Sequence, residues 1–134
     1  MGRLLMLGFA EPIRAVVLGA RGGLGGAFAR RLVQSNEAHQ VWGTARDAER
    51  WGADCTRTSV VDVTDEDSLL SLVAELNQSN YQPNLVLNCT GLLHDAALGP
   101  EKTWRHLEMD VMRRVFEVNT FGVALLGKHL LPLL

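Results

Sequence analysis

The sequence is short of the residues that build specialised scaffolds. Two cysteines, Cys55 and Cys89, are all it has in 134 residues. They cannot make a disulfide framework, and neither sits in a Cys-x-x-Cys or Cys/His array, so a stapled secreted fold and a zinc site are both unexpected. Reduced thiols in a cytoplasmic protein are the reading. No apolar run approaches the roughly 18 residues of a membrane span. Met1–Ala10 (MGRLLMLGFA) loosely mimics a signal peptide. Its apolar run is short and its basic region almost absent, so it reads as an arm leading into the first strand. Met6 stands where a myristoylation motif wants Ser or Thr. Neither sign of charge prevails: 13 basic and 15 acidic residues leave a net charge of −2. That gives no footprint for nucleic acid or an anionic membrane. The 13 glycines follow no period of three, which excludes collagen. With 47% hydrophobic and 21% charged residues, disorder is excluded and one globular domain over residues 1–134 is expected.

What is present alternates between two periodicities. Ile13–Leu18 (IRAVVL) is short and β-branched, and stops at Gly19, as a buried strand would. A glycine cluster follows, Gly19-Ala20-Arg21-Gly22-Gly23-Leu24-Gly25-Gly26. Leu24, Phe28 and Leu32 then recur every four residues and predict the inner face of a helix running to about Ser35. Gln40–Thr44 is a second strand. Ala45–Asp54 is polar, with room for one helical turn around Trp51. Arg57–Val63 is a third strand. Thr64 is expected to cap the next helix, with acid in its first turn and Leu69, Leu72, Val73 and Leu76 at helical spacing. After a polar connector with Pro83, Leu85–Asn88 makes a fourth strand. An irregular stretch to Arg105 leads into a helix from about His106 to Leu131, with Val111, Val115, Val118, Phe121, Gly122 and Leu125 along one broad face.

Strands alternating with helices predict a doubly wound α/β domain, a Rossmann-like parallel sheet in the order 3-2-1-4. Ligands of such sheets bind beyond the carboxyl ends of the strands, where the order reverses. Four sequence features fall at that edge: the glycine cluster, Ala45-Arg46-Asp47, Asp62-Val63, and Asn88-Cys89-Thr90-Gly91. A glycine loop between strand and helix lets backbone N–H groups approach a pyrophosphate, and the helix terminus adds favourable partial charge. Each feature has a plainer competitor. Glycines also make tight turns, Asp62 also suits a helix cap, Asn88 also satisfies loop backbone, and Arg46-Asp47 is also a solvated ion pair.

The spacing Gly19-x-x-x-Gly23-x-Gly25, together with Asp62-Val63, Asn88-Cys89-Thr90-Gly91 and Asn119 in Val118-Asn119-Thr120-Phe121-Gly122, resembles the short-chain dehydrogenase/reductase family. That family carries Thr-Gly-x-x-x-Gly-x-Gly, Asp-Val, Asn-Asn-Ala-Gly and a helical Asn in the same order. The departures are Leu18 for Thr, Cys89 for Asn and Thr90 for Ala. The resemblance implies a pyrophosphate loop at Gly19, Arg21, Gly22, Gly23, Leu24 and Gly25. It implies adenine contacts from Asp62 and Val63, and a ribose and nicotinamide wall from Asn88, Cys89, Thr90 and Gly91. Asn119 would be the one member of the catalytic group in this chain, holding a water.

At the end of strand 2, an acid would bind the ribose of NAD, whereas an arginine accommodates the 2′-phosphate of NADP. Ala45 takes the acidic position and Arg46 follows, so NADP is expected ahead of NAD; a one-residue shift would make Asp47 the ribose acid. The implied substrate is a small carbonyl or alcohol, with no nucleic-acid or membrane partner and with pairing of subunits through the last helix. The family's Ser and Tyr-x-x-x-Lys are expected beyond Leu134, making this the cofactor-binding half of a reductase. Tyr81, the single tyrosine, precedes strand 4 and is expected to be structural, and no metal site is expected. The competing readings are a non-catalytic dinucleotide-binding or interaction module and an enzyme completed by another chain.

Overall fold

A computed structural model describes residues 12–35, 39–47, 55–94 and 99–134. The Met1–Ala10 arm and most of the Ala45–Asp54 segment, including Trp51, lie outside them. The elements run β1 (Arg14–Leu18), α1 (Gly23–Ser35), β2 (Gln40–Ala45), β3 (Arg57–Val60), α2 (Glu66–Gln78), β4 (Leu85–Asn88), α3 (Met109–Phe116) and α4 (Gly122–Leu130). All strand pairs are parallel, in the order β3-β2-β1-β4. Leu18 lies opposite both Thr44 and Asn88, and Ala45 lies opposite Val60. The four strands therefore finish nearly level, and their following loops share one edge.

Alternation along β1 divides the core. Val16 and Leu18 face one side, with Leu69, Leu72 and Leu76 of α2 and Leu126 and Leu130 of α4. Ala15 and Val17 face the other, with Ala29 and Leu32 of α1. Residues Ala15–Leu18 are fully buried because both faces of the sheet are covered. Truncating a fully buried leucine such as Leu72 to alanine costs about 2–5 kcal/mol at such a site.

Beneath the sheet's α2 face, Tyr81 stitches β1 to β2. Its hydroxyl lies 2.9 Å from the Ala15 carbonyl and 3.1 Å from that of Gln40. The ring meets Trp42 edge-on at 5.2 Å. Trp42 Nε1 donates to Ser59 Oγ at 2.7 Å, and Ser59 in turn donates to the Glu75 carboxylate. Burial pushes the Tyr81 phenol above its ordinary pKa.

Four expectations are corrected. In α1 the inward residues are Gly25, Ala29 and Leu32, while Leu24 and Phe28 are exposed. A Cβ on Gly25 would lie 2.2 Å from the Gly19 carbonyl oxygen, so the helix rides directly on the loop. Only a stripe of small residues fits there, and it turns Leu24 and Phe28 outward. The β3 ladder stops at Val60, before the expected Val63. One further bond, from the Val61 N–H to the Ala45 carbonyl, precedes the turn. The cap of α2 is Asp65, whose side chain accepts from the Asp67 N–H, while Thr64 bonds to Asp62 instead. Finally, the last helix is not continuous. A 3₁₀ turn at Trp104–His106 precedes α3, and a π turn at Glu117–Phe121 separates α3 from α4. The wider π turn rotates Phe121 out to solvent, away from the face it was expected to join. Among the described residues no helix is long and apolar enough to cross a membrane.

Candidate functional site

A cleft of about 300 Å³ opens at the carboxyl edge of the sheet, lined from all four strand ends. Gly19, Arg21 and Gly22 come from the loop after β1, Ala45, Arg46 and Asp47 from the end of β2, and Val61 and Val63 from the turn after β3. Cys89, Thr90, Gly91 and Leu92 come from the loop after β4, and Val118 from the π turn. Of the residues singled out in the sequence, Gly23, Leu24, Gly25, Asp62, Asn88 and Asn119 are not in this lining. Each lies within three residues of a lining residue in the sequence.

Gly19 governs the first loop. Its φ is +75°, and a Cβ there would sit 2.8 Å from the Cys89 carbonyl oxygen and 3.2 Å from the Thr90 nitrogen. The loop backbone is pinned on both sides. The Ala20 N–H donates to the Thr44 carbonyl, and the Cys89 N–H donates to the Leu18 carbonyl, both at 2.9 Å. Within the loop the Gly22 N–H donates to the Gly19 carbonyl at 3.0 Å. Helix α1 begins at Gly23, directly beyond the cleft-lining Gly22, with no acid in its first turn. The first N–H groups of a helix lack intrahelical partners and carry positive partial charge. This combination suits an anion.

At the β2 end, Arg21 forms an ion pair with Asp47, drawing the glycine loop toward the strand. Arg46 is exposed beside it, and Ala45 is nearly buried. The next two strand ends share one construction. Asp62 Oδ1 accepts from the Thr64 N–H at 2.9 Å and from its hydroxyl at 2.7 Å. Asn88 Oδ1 accepts from the Thr90 N–H at 3.1 Å and from its hydroxyl at 2.6 Å. Partial burial works to raise the Asp62 carboxyl. The Thr64 hydroxyl and N–H, and then the Arg46 and Arg114 guanidiniums, outweigh it and hold the group below the usual aspartate value. Burial pushes the Cys89 thiol up from its ordinary value.

Asn119 closes the site from the π turn. Its Oδ1 accepts from the Leu92 N–H at 2.8 Å, and its Nδ2 donates to the Leu92 carbonyl at 2.7 Å. Both ends of the amide are thus spent on fixing the loop after β4. Tyr81 lies at the opposite edge, and His39 accepts there from the Ile13 N–H at 3.0 Å. His94 and His106 are exposed. Sequence reasoning missed Leu92, Val118 and Arg114. Val118 and Leu92 adjoin Asn119 and Gly91, which was signal enough to find them; Arg114 carried no local signal, because only the packing of α3 brings it toward Asp62.

Comparison with known proteins agrees with this geometry. The family model for short chain dehydrogenase matches residues 14–134. The cis-4-hydroxycyclohexanecarboxylate dehydrogenase of Sinomonas cyclohexanicum is 33% identical over 129 residues, covering 92% of this chain and 49% of that protein. Among solved structures, an NADPH-bound carbonyl reductase from chicken fatty liver superposes with a TM-score of 0.75 at 23% identity, over 92% of this chain and 52% of that one. A short chain dehydrogenase of Leptospira borgpetersenii with bound NAD⁺ does so with a TM-score of 0.76 at 15% identity, over 92% and 46%. At these identities the structural likeness is one of fold, and that fold holds either dinucleotide. The chain spans about half the length of the curated relatives it matches. The family match and the β3-β2-β1-β4 sheet together establish that this chain belongs to the short-chain dehydrogenase family, whose members bind nicotinamide dinucleotides, and that it corresponds to the N-terminal part of that fold.

Proposed function

We propose that this chain is the cofactor-binding half of an NADP-dependent oxidoreductase that interconverts a small carbonyl compound and its alcohol. One observation carries the choice of cofactor. Around the β2 end the cleft has two guanidiniums, Arg21 from the loop after β1 and Arg46, and one carboxylate, Asp47, which is already paired with Arg21. Arg46, whose charge also bears on Asp62, is the guanidinium offered to a phosphate, and Ala45 supplies no acid for a ribose.

The residues present fit a dinucleotide. The cleft-lining loop from Gly19 to Gly22 and the first turn of α1 behind it receive a pyrophosphate. Asp62, held by Thr64 at Oδ1, offers its carboxylate to an adenine amino group, and Val63 supplies an apolar wall. The loop from Cys89 to Leu92, held by Asn88 and Asn119, lines the ribose and nicotinamide side. When bound, the nicotinamide ring supplies or accepts the hydride. The role of Asn119 toward the cleft is positional, through Leu92. Tyr81 supplies no proton at this edge, so these residues alone should not turn over a ketone or aldehyde. We read the exposed Phe116, Phe121, Val123 and Leu131 around α4 as a face for pairing with a second subunit, and a chain with only two cysteines, Cys55 and Cys89, as one of the cytoplasm. A dinucleotide-binding module without chemistry of its own is the second reading, favoured by the burial of the only tyrosine far from the cleft.

Calorimetric titration of the purified protein with NADPH and NADH tests the assignment. NADPH should bind more tightly. Arg46→Ala should cost about 1.5–3 kcal/mol in NADPH binding, roughly tenfold to 150-fold, and leave NADH nearly unchanged. Equal losses for both cofactors would reject it.

A further inference from the structure

The π turn does more than interrupt a helix. Asn119, inside it, grips Leu92 on one wall of the cleft. Gly122, the first residue after it, touches the other wall. A Cβ on Gly122 would lie 2.8 Å from Val63 Cγ2, 3.2 Å from the Val63 carbonyl oxygen and 3.3 Å from the Glu117 carbonyl oxygen. Val63 follows β3 and Leu92 follows β4, the two edge strands of the sheet, and both line the same cleft together with Val118. In a regular α-helix, residues three apart point within about 60° of each other. Widening the turn by one residue opens that angle to about 120°. One short segment therefore reaches both walls at once.

We infer that Gly122 is a positioning residue for the cofactor cleft: its missing side chain lets α4 seat against Val63, and the π turn ties that seat to the Asn119 grip on Leu92, so that one turn sets the spacing of the two walls. The inference rests on the dinucleotide reading above for its ligand, but not for its geometry. Any side chain at 122 must displace Val63 or lift α4. A lifted α4 carries the π turn with it and draws Asn119 away from Leu92. Gly127, in the same helix, is the natural control. A Cβ there would meet only Leu131 Cδ1, at an ordinary 3.7 Å.

The test compares Gly122→Ala, Gly127→Ala, Val63→Ala and the double variant Val63→Ala/Gly122→Ala in the purified protein. Two readouts are used: affinity for NADPH and NADH, and hydrogen exchange of the Leu92 amide without cofactor. Gly122→Ala should weaken both cofactors by about tenfold, because the wall concerned is common to them, and speed Leu92 exchange by at least about tenfold. Gly127→Ala should change neither. In the Val63→Ala background, adding Gly122→Ala should cost less than about threefold in affinity, because the methyl group it meets is gone. Should Gly122→Ala alone not fold, the double variant should fold and bind as Val63→Ala does; failure of both would overturn the inference. Unchanged affinity together with unchanged Leu92 exchange in folded Gly122→Ala would also overturn it. Should the unsubstituted protein bind neither dinucleotide, the cofactor reading fails, and Leu92 exchange still decides the positioning claim.

Discussion

Replacing Gly19 with alanine should damage this fold more than replacing Gly23, although both belong to one glycine loop. At Gly19 the backbone is left-handed, φ +75°. An L-residue there costs roughly 1–2 kcal/mol. The new Cβ would also press on the Cys89 carbonyl oxygen at 2.8 Å and on the Thr90 nitrogen at 3.2 Å. Those atoms cannot retreat freely, because the Cys89 N–H is bonded to the Leu18 carbonyl. Overpacking of this kind costs about 1–3 kcal/mol, for a combined destabilisation of about 2–5 kcal/mol. A chain of this length shifts its melting temperature by roughly 3–4 °C per kcal/mol, so Gly19→Ala should melt about 6–20 °C lower. At Gly23 a Cβ would meet nothing within 4 Å. Alanine is the better helix former by about 0.5–1 kcal/mol, so Gly23→Ala should melt at or slightly above the parent. Thermal unfolding followed by circular dichroism measures both. Equal shifts for the two variants, or a Gly19→Ala shift under about 2 °C, would refute the reasoning.

Asp62→Ala should lose more than about tenfold in NADPH affinity, whereas Asp65→Ala, which removes the cap of α2, should cost about 1 kcal/mol of stability with affinity unchanged; calorimetry and melting curves separate the two. Tyr81→Phe strands buried carbonyls and should cost about 1–2 kcal/mol in urea unfolding while leaving cofactor binding intact. Glu66 joins α2 to α4 through Lys128 Nζ at 2.5 Å and His129 Nε2 at 2.7 Å, and those two bonds hold its carboxyl below 4.5. Its contribution is present above that pH and lost as pH falls through the lowered value, so the gap in urea midpoint between the parent and Glu66→Gln should be seen at pH 7 and close as the solution is acidified below 4.5.

The sheet order and the loops that follow the strands were legible because β1 is buried on both faces and reads as a continuous apolar run, and because glycine, aspartate and asparagine punctuate the chain there, although β3 stops at Val60 and not at Val63. What was not legible arises from contacts between elements. Spacing alone made Leu24 and Phe28 the inner face of α1, but the approach of Gly25 to the Gly19 carbonyl admits only small residues there. Thr64 and Asp65 are both good caps, and the choice fell to Asp65 because Asp62 claims the Thr64 hydroxyl. The apolar pattern from Val111 to Leu125 matches a straight helix well enough to conceal a π turn, whose purpose shows only when Asn119 and Gly122 are seen to touch different loops.

The central claim is that the carboxyl edge of this sheet binds a nicotinamide dinucleotide. Titrating isotope-labelled protein with NADPH and following backbone amide shifts by NMR tests it most directly. The account predicts saturable shifts at Gly19, Gly22, Arg46, Val63 and Gly91, with Tyr81 and Asn84 at the opposite edge unmoved. An absence of saturable shifts, or shifts centred on Tyr81 and Asn84, would contradict it.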